Sequence, residues 1–111
     1  VELDQALLEA ARKKQTVMLD FYADWCVTCK EMEKYTFSKP AVQAELQNVI
    51  VLQADVTANN VEDRALLERF ALFGPPAILF FIDGKERRNL RVIGYMQAED
   101  FTRHVREAAA P

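Results

Sequence analysis

Cysteine, histidine, glycine and proline are all scarce in this 111-residue chain, and each scarcity excludes a class of protein. Two cysteines, Cys26 and Cys29, are too few for a disulfide-stapled scaffold or a four-thiolate zinc site, and the single histidine, His104, lies far downstream. Three glycines and four prolines exclude collagen-like repeats and low-complexity linkers. Long apolar runs are missing too. The most apolar stretch, from Phe70 to Ile82, is broken by Gly74, Pro75 and Pro76 and is too short to span a bilayer. Neither charge dominates: 14 Lys and Arg face 17 Asp and Glu, and a net charge of −3 gives no broad attraction to phosphate or anionic lipid. Nucleic acid is therefore not expected as a partner.

What remains fits one folded domain over residues 1–111. Half of the residues are hydrophobic and 28% are charged, enough for one core at this length. The chain begins at Val1, and its first residues mix acids and bases among short apolar steps, so it is expected to be a piece excised from a longer protein. Leu3, Ala6, Leu7, Ala10 and Ala11 repeat at helical spacing, and Thr16 to Tyr22 reads as a strand apolar on both faces except at Asp20. A helix from Cys26 to about Phe37 follows, then a new helix start at Ser38 and Pro40 that turns Val42 and Leu46 inward. Val49 to Val56 reads as a second buried strand, and Asn59 or Asn60 caps a helix burying Leu66, Leu67 and Phe70. Ala77 to Ile82 is a third strand, Asp83-Gly84 a hairpin turn, and Leu90, Val92 and Arg88 alternate along a fourth strand ending near Gly94. A last amphipathic helix carries Phe101 and Val105 inward. This order predicts an α/β fold: a central mixed sheet of about four strands with helices on both faces.

Chemistry concentrates in Trp25-Cys26-Val27-Thr28-Cys29-Lys30, at the handover from first strand to helix. A sulfur at a helix start meets unpaired backbone N–H groups that favour thiolate, and a cysteine three residues on lies on the same face within bonding reach. Cys26 is expected to be exposed and to attack, Cys29 to be covered and to resolve. Half a zinc site is the first alternative and lacks further ligands. A structural disulfide is the second, and it would close too short a loop to restrict the unfolded chain much. No metal or organic cofactor is expected, only a redox-active Cys26–Cys29 disulfide.

The segment Val17 to Cys26, with Cys29-Lys30, Gly74-Pro75-Pro76-Ala77 and Gly94, falls in the order and spacing of thioredoxins, which the chain resembles over almost its whole length. More narrowly, Tyr22 to Cys26, Glu31 to Phe37 and Gln53 to Asn60 are similar to the C-terminal periplasmic domains of the DsbD family of thiol:disulfide interchange proteins. This resemblance implies a thioredoxin fold in a periplasmic domain of an inner-membrane protein. It further implies a reductant that takes electrons from a membrane-embedded cysteine pair and passes them to an N-terminal periplasmic domain; a monomer is expected. Isomerases and cytochrome c maturation factors are then the ultimate recipients.

Asp20, among Met18, Leu19, Phe21 and Tyr22, must find partners or hold its proton. It reads as a hydrogen-bonded core acid or, by the resemblance, as the acid beneath the cysteine pair. Glu33, four residues after Cys29 and seven after Cys26, reads either as a solvated helical acid or as the family's second acid. Val27-Thr28 supplies no cation between the cysteines, and carboxylates nearby disfavour thiolate, which leans the pair towards a reductant; Lys30 and the helix dipole pull the other way. The resemblance makes Pro76 a cis-proline opposite the disulfide and places Trp25, Val27, Thr28, Pro75 and Pro76 along the partner groove. Two departures stand out: Val27-Thr28 replaces the usual Gly-Pro of thioredoxins, and Pro75 offers no N–H to an extended partner. His104 is expected at the surface. The competing readings are a free-standing cytosolic thioredoxin and a thioredoxin-fold binding module with incidental cysteines.

Overall fold

The computed structural model describes residues 2–110. Helix α1 (Glu2–Arg12) leads into strand β1 (Thr16–Tyr22) and helix α2 (Val27–Met32), which widens into a π-helical turn (Glu33–Phe37) before helix α3 (Pro40–Glu45). Strand β2 (Val49–Asp55), helix α4 (Val61–Arg69) and strand β3 (Ala77–Ile82) follow. Two short strands, β4 (Lys85–Glu86) and β5 (Val92–Ile93), flank a 3-10 turn (Arg88–Leu90), and helix α5 (Ala98–Ala109) ends the fold.

The sheet is mixed, ordered β2-β1-β3-β4, with β5 also pairing to β3. β1 runs parallel to β2 and antiparallel to β3, which makes β1 and β3 the interior strands and explains why they are apolar on both faces. Leu19, Phe21, Leu79 and Phe81 point to one face, against Leu7 and Ala10 of α1, Leu67 of α4 and Phe70 just beyond it. Met18, Ile78 and Phe80 point to the other, against Met32, Val42, Phe101, Val105 and Ala108.

Four local expectations need correction. β2 is an edge strand rather than a doubly buried one: Leu52 and Ala54 pack inward, but Val51 is 49% exposed because its side of the edge opens to solvent. The fourth strand is two fragments, because the chain leaves the sheet after Arg87 and returns at Val92 around a Glu86–Arg91 ion pair at 2.5 Å. Ser38 does not cap α3: its hydroxyl donates to Lys34 O at 2.6 Å, while Lys39 holds the cap position and Pro40 opens the helix. His104 is half-buried, its ring packed against Phe80 and its Nε2 at Leu90 O.

The punctuation residues act as their chemistry directs. Asp83 and Gly84 both adopt positive φ, 56° and 77°, the geometry of a two-residue hairpin whose twist matches the strands. Asn60 caps α4 in a reciprocal capping box with Asp63.

Candidate functional site

β1 is buried and fixed on both sides, so its C-terminal end is a rigid platform, and the chain leaves it through Ala23, Asp24 and Trp25 into α2. Cys26 is the N-cap of α2, with extended backbone, and its Sγ accepts the Cys29 N–H at 3.1 Å. Cys26 and Cys29 are joined as a disulfide, with Cα atoms 5.2 Å apart. The expected contrast in exposure is small here, for Cys26 is 6% and Cys29 4% exposed. The asymmetry lies in surroundings: Cys29 Sγ faces Phe21 O at 3.9 Å, on the interior side, while Cys26 adjoins Trp25, 57% exposed, and the exposed Val27.

Asp20 sits one residue before the Phe21 carbonyl that faces Cys29, on a half-buried strand position paired with Gln53. Burial pushes its carboxyl up from 3.8 to about 7; a hydrogen bond from Gln53 pulls it down and the Glu33 charge adds to the rise. Glu33 is solvent-exposed at the start of the π-helical turn and acts on Asp20 through its charge alone. Lys30 is engaged by Tyr22 and Asp24. Its ammonium donates to the Tyr22 hydroxyl, which donates to Asp24 Oδ1 at 2.9 Å, and Lys30 Nζ lies 3.9 Å from the same carboxylate. Hydrogen bonding to Tyr22 holds the ammonium above its ordinary range, with Asp24 and Glu33 adding to the effect.

The Pro75–Pro76 bond is cis, in half-buried residues directly before β3. Phe73, two residues earlier, is fully exposed, as are large parts of Ile93 and Tyr95. Periodicity could not reveal that exposure, because an aromatic in a loop has no face assigned by spacing. Among the described residues no group of three or more His, Cys, Asp and Glu is arranged to hold a metal ion, and no helix is long and apolar enough to cross a membrane.

The sequence model of a family described as thioredoxin-like matches residues 1–82. The chain belongs to the thioredoxin-like family. Within it, the crystal structure of the C-terminal domain of DsbD from Neisseria meningitidis in the oxidised form superimposes with a TM-score of 0.80 at 34% identity, covering 96% of this chain and 93% of that one. Two curated relatives, each a "Thiol:disulfide interchange protein DsbD", are 52% identical in Ralstonia nicotianae and 55% identical in Escherichia coli K12, each over 96% of this chain. The chain spans 18% and 19% of the length of those two relatives. In thioredoxin-like terms, a cysteine pair at a helix start, following a strand that carries an acid raised to about 7, can as a dithiol give two electrons to one partner and regain them from another.

Proposed function

We propose that this chain is a thiol-disulfide oxidoreductase that acts as a reductant of protein disulfides. The observation that carries the reading is the Cys26–Cys29 pair at the N-cap of α2, with Asp20 one residue from the carbonyl that Cys29 faces. In the dithiol form, Cys26 thiolate attacks a partner disulfide, a mixed disulfide forms, and the partner's first sulfur leaves as thiolate and is protonated. Cys29 then gives its proton to Asp20, whose carboxyl near 7 can accept and release protons at neutral pH, and attacks Cys26 Sγ. The partner's second sulfur leaves as a thiolate and takes the proton held by Asp20, while the first is protonated from solvent, which received the Cys26 proton; two electrons have passed to the partner and the chain is left with the disulfide seen here. Glu33 is the second acid of this site and reinforces the proton affinity of Asp20.

The direction of electron flow is supported by charge. No cation stands between the cysteines, and Lys30 is engaged by Tyr22 and Asp24 rather than left to stabilise a thiolate. Trp25, Val27, Thr28, Pro75 and Pro76 form the partner surface, which relies on shape and apolar contact because Pro75 has no N–H to donate. By likeness to the DsbD proteins, the chain is one periplasmic domain of an inner-membrane protein, reduced by a membrane-domain cysteine pair and oxidised by an N-terminal periplasmic domain. It acts as a monomer and uses no cofactor beyond its own cysteines.

The test is stopped-flow reduction of an oxidised N-terminal DsbD domain by the reduced chain. Transfer is expected with the wild type and is abolished by Cys26→Ala, while Cys29→Ala accumulates a mixed disulfide through Cys26. No transfer from the wild type, or trapping through Cys29, overturns the reading.

A further inference from the structure

The turn that follows β2 reaches across to the residues just before Cys26. Val56 N–H extends the ladder by donating to Tyr22 O at 2.7 Å, and the chain then turns at Thr57. The Thr57 hydroxyl accepts the Asp24 N–H at 2.9 Å, and the Thr57 carbonyl accepts the Trp25 indole Nε1–H at 2.9 Å. Thr57 is itself anchored, since its N–H donates to Asp55 Oδ1 at 2.9 Å and its hydroxyl donates to the same oxygen. One residue thus holds two successive residues of the loop that presents Cys26, one by its backbone and one by its ring.

An exposed indole needs such a tie. Trp25 is 57% exposed, so little packing limits its rotation, and an unheld side chain would have to be ordered each time a partner binds. A hydroxyl suits the position because it can accept from Asp24 and donate to Asp55 at once, and the β-branched carbon of Thr stiffens its rotamer. Asp55 is suited to anchoring it, because the hydrogen bonds from Thr57 hold its carboxyl below the ordinary range and it stays an acceptor at neutral pH.

We infer that Thr57 is a positioning residue for disulfide exchange, holding Asp24 and Trp25 in the orientation that receives a protein partner beside Cys26. The inference rests on the reading of Trp25 as part of the partner surface. It predicts a defect that is selective for large substrates, because a small disulfide reaches Cys26 without needing the indole.

Trp25 is the chain's one tryptophan, so its fluorescence reports the clamp directly. Thr57→Val removes the hydroxyl at nearly constant shape, and Thr57→Ser keeps it. Two substrates separate the effects: the disulfides of insulin and the small disulfide of hydroxyethyl disulfide. Thr57→Val keeps the main-chain carbonyl that accepts from the indole but removes the hydroxyl's bonds to Asp24 and Asp55 that hold this carbonyl in place. It is therefore expected to add a fast component to the Trp25 anisotropy decay. It is also expected to slow insulin reduction by roughly three- to tenfold, mainly through KM, as loss of one or two hydrogen bonds implies. Reduction of hydroxyethyl disulfide is expected to stay within about twofold, and Thr57→Ser to restore both readouts. Should Thr57→Val fold poorly, Asp55→Asn, which weakens the anchor of Thr57, is expected to give the same selective loss at smaller amplitude. Equal losses towards both disulfides, an unchanged anisotropy decay, or failure of Ser to rescue would overturn the inference. A wild type that reduces hydroxyethyl disulfide but not insulin would overturn the reading of the partner surface instead, leaving the anisotropy result to judge the clamp.

Discussion

Asp20 is the residue whose chemistry departs furthest from its ordinary behaviour. Its carboxyl is raised from 3.8 to about 7, chiefly by burial, so the folded state binds its proton more tightly than the unfolded chain does. Stability must then fall as pH rises between those two values, being fully present below 3.8 and lost by about 7. Asp20→Asn removes this penalty. Urea titrations at pH 8 are expected to show the variant more stable than wild type by about 1–3 kcal/mol, the solvent-accessible part of the site keeping the gain below the full value of the shift. At pH 3 the two should coincide, and a difference that persists there would point to packing rather than charge. The same acids bear on sulfur. Carboxylates near the pair disfavour a second negative charge, so Asp20→Asn and Glu33→Gln are expected to raise the thiolate fraction of reduced Cys26, as thiolate absorbance across a pH series would reveal. Invariant titration in both variants would make the acids structural.

At the scale of elements, helix ends and turns carry stability that sequence periodicity does not weigh. α4 closes in a Schellman motif: Leu72 N–H donates to Leu67 O at 2.9 Å and Ala71 N–H to Glu68 O at 3.0 Å, with Leu67 and Leu72 both in the adjoining core. The left-handed residue this motif needs is Ala71, at φ 58°, where a Cβ is strained. Ala71→Gly is therefore expected to stabilise the fold by about 0.5–1 kcal/mol, read as a higher midpoint in thermal melts, net of the extra freedom glycine gives the unfolded chain. The β4–β5 excursion depends on Arg91, whose guanidinium pairs with both Glu86 oxygens at 2.5 and 2.8 Å and donates to Phe70 O at 2.8 Å. Both side chains are nearly covered, 12% and 10% exposed, so removing one leaves the other's charge uncompensated. Arg91→Met is expected to cost about 3 kcal/mol in chemical denaturation, with most of that recovered when Glu86→Gln is added. A loss that the second substitution deepens would show that the arginine acts through Phe70 alone.

In the whole molecule, the sheet separates two cores that share strands but not side chains. Leu67 belongs to the core under α1 and α4, and Ile78 to the core under α2, α3 and α5. Leu67→Ala is expected to cost about 2–5 kcal/mol and Ile78→Val about 0.5–1.5 kcal/mol. Because the sites face opposite sides of the sheet, the double variant should equal their sum within about 0.5 kcal/mol; a larger discrepancy in denaturation midpoints would show that the layers are coupled through the strands. The redox loop leaves the end of the strand between these layers, which fixes its base and frees its tip for a partner.

The linear chain by itself determined the elements and the chemistry. Alternation and runs marked β1 and β3 because interior strands must be apolar on both faces, Asp83-Gly84 marked its turn because few residues accept positive φ, and Cys26, Cys29 and Asp20 stood out because their types are scarce or costly where they occur. Tertiary structure decided what depends on neighbours distant in the chain. β2 reads as a buried strand until its place at the sheet edge leaves Val51 in solvent, and Arg88 to Val92 reads as one strand until the Glu86–Arg91 pair folds it out of the ladder. Spacing along one helix cannot foresee that Thr57 holds Trp25, because that hydrogen bond joins residues brought together only when β2 pairs with β1.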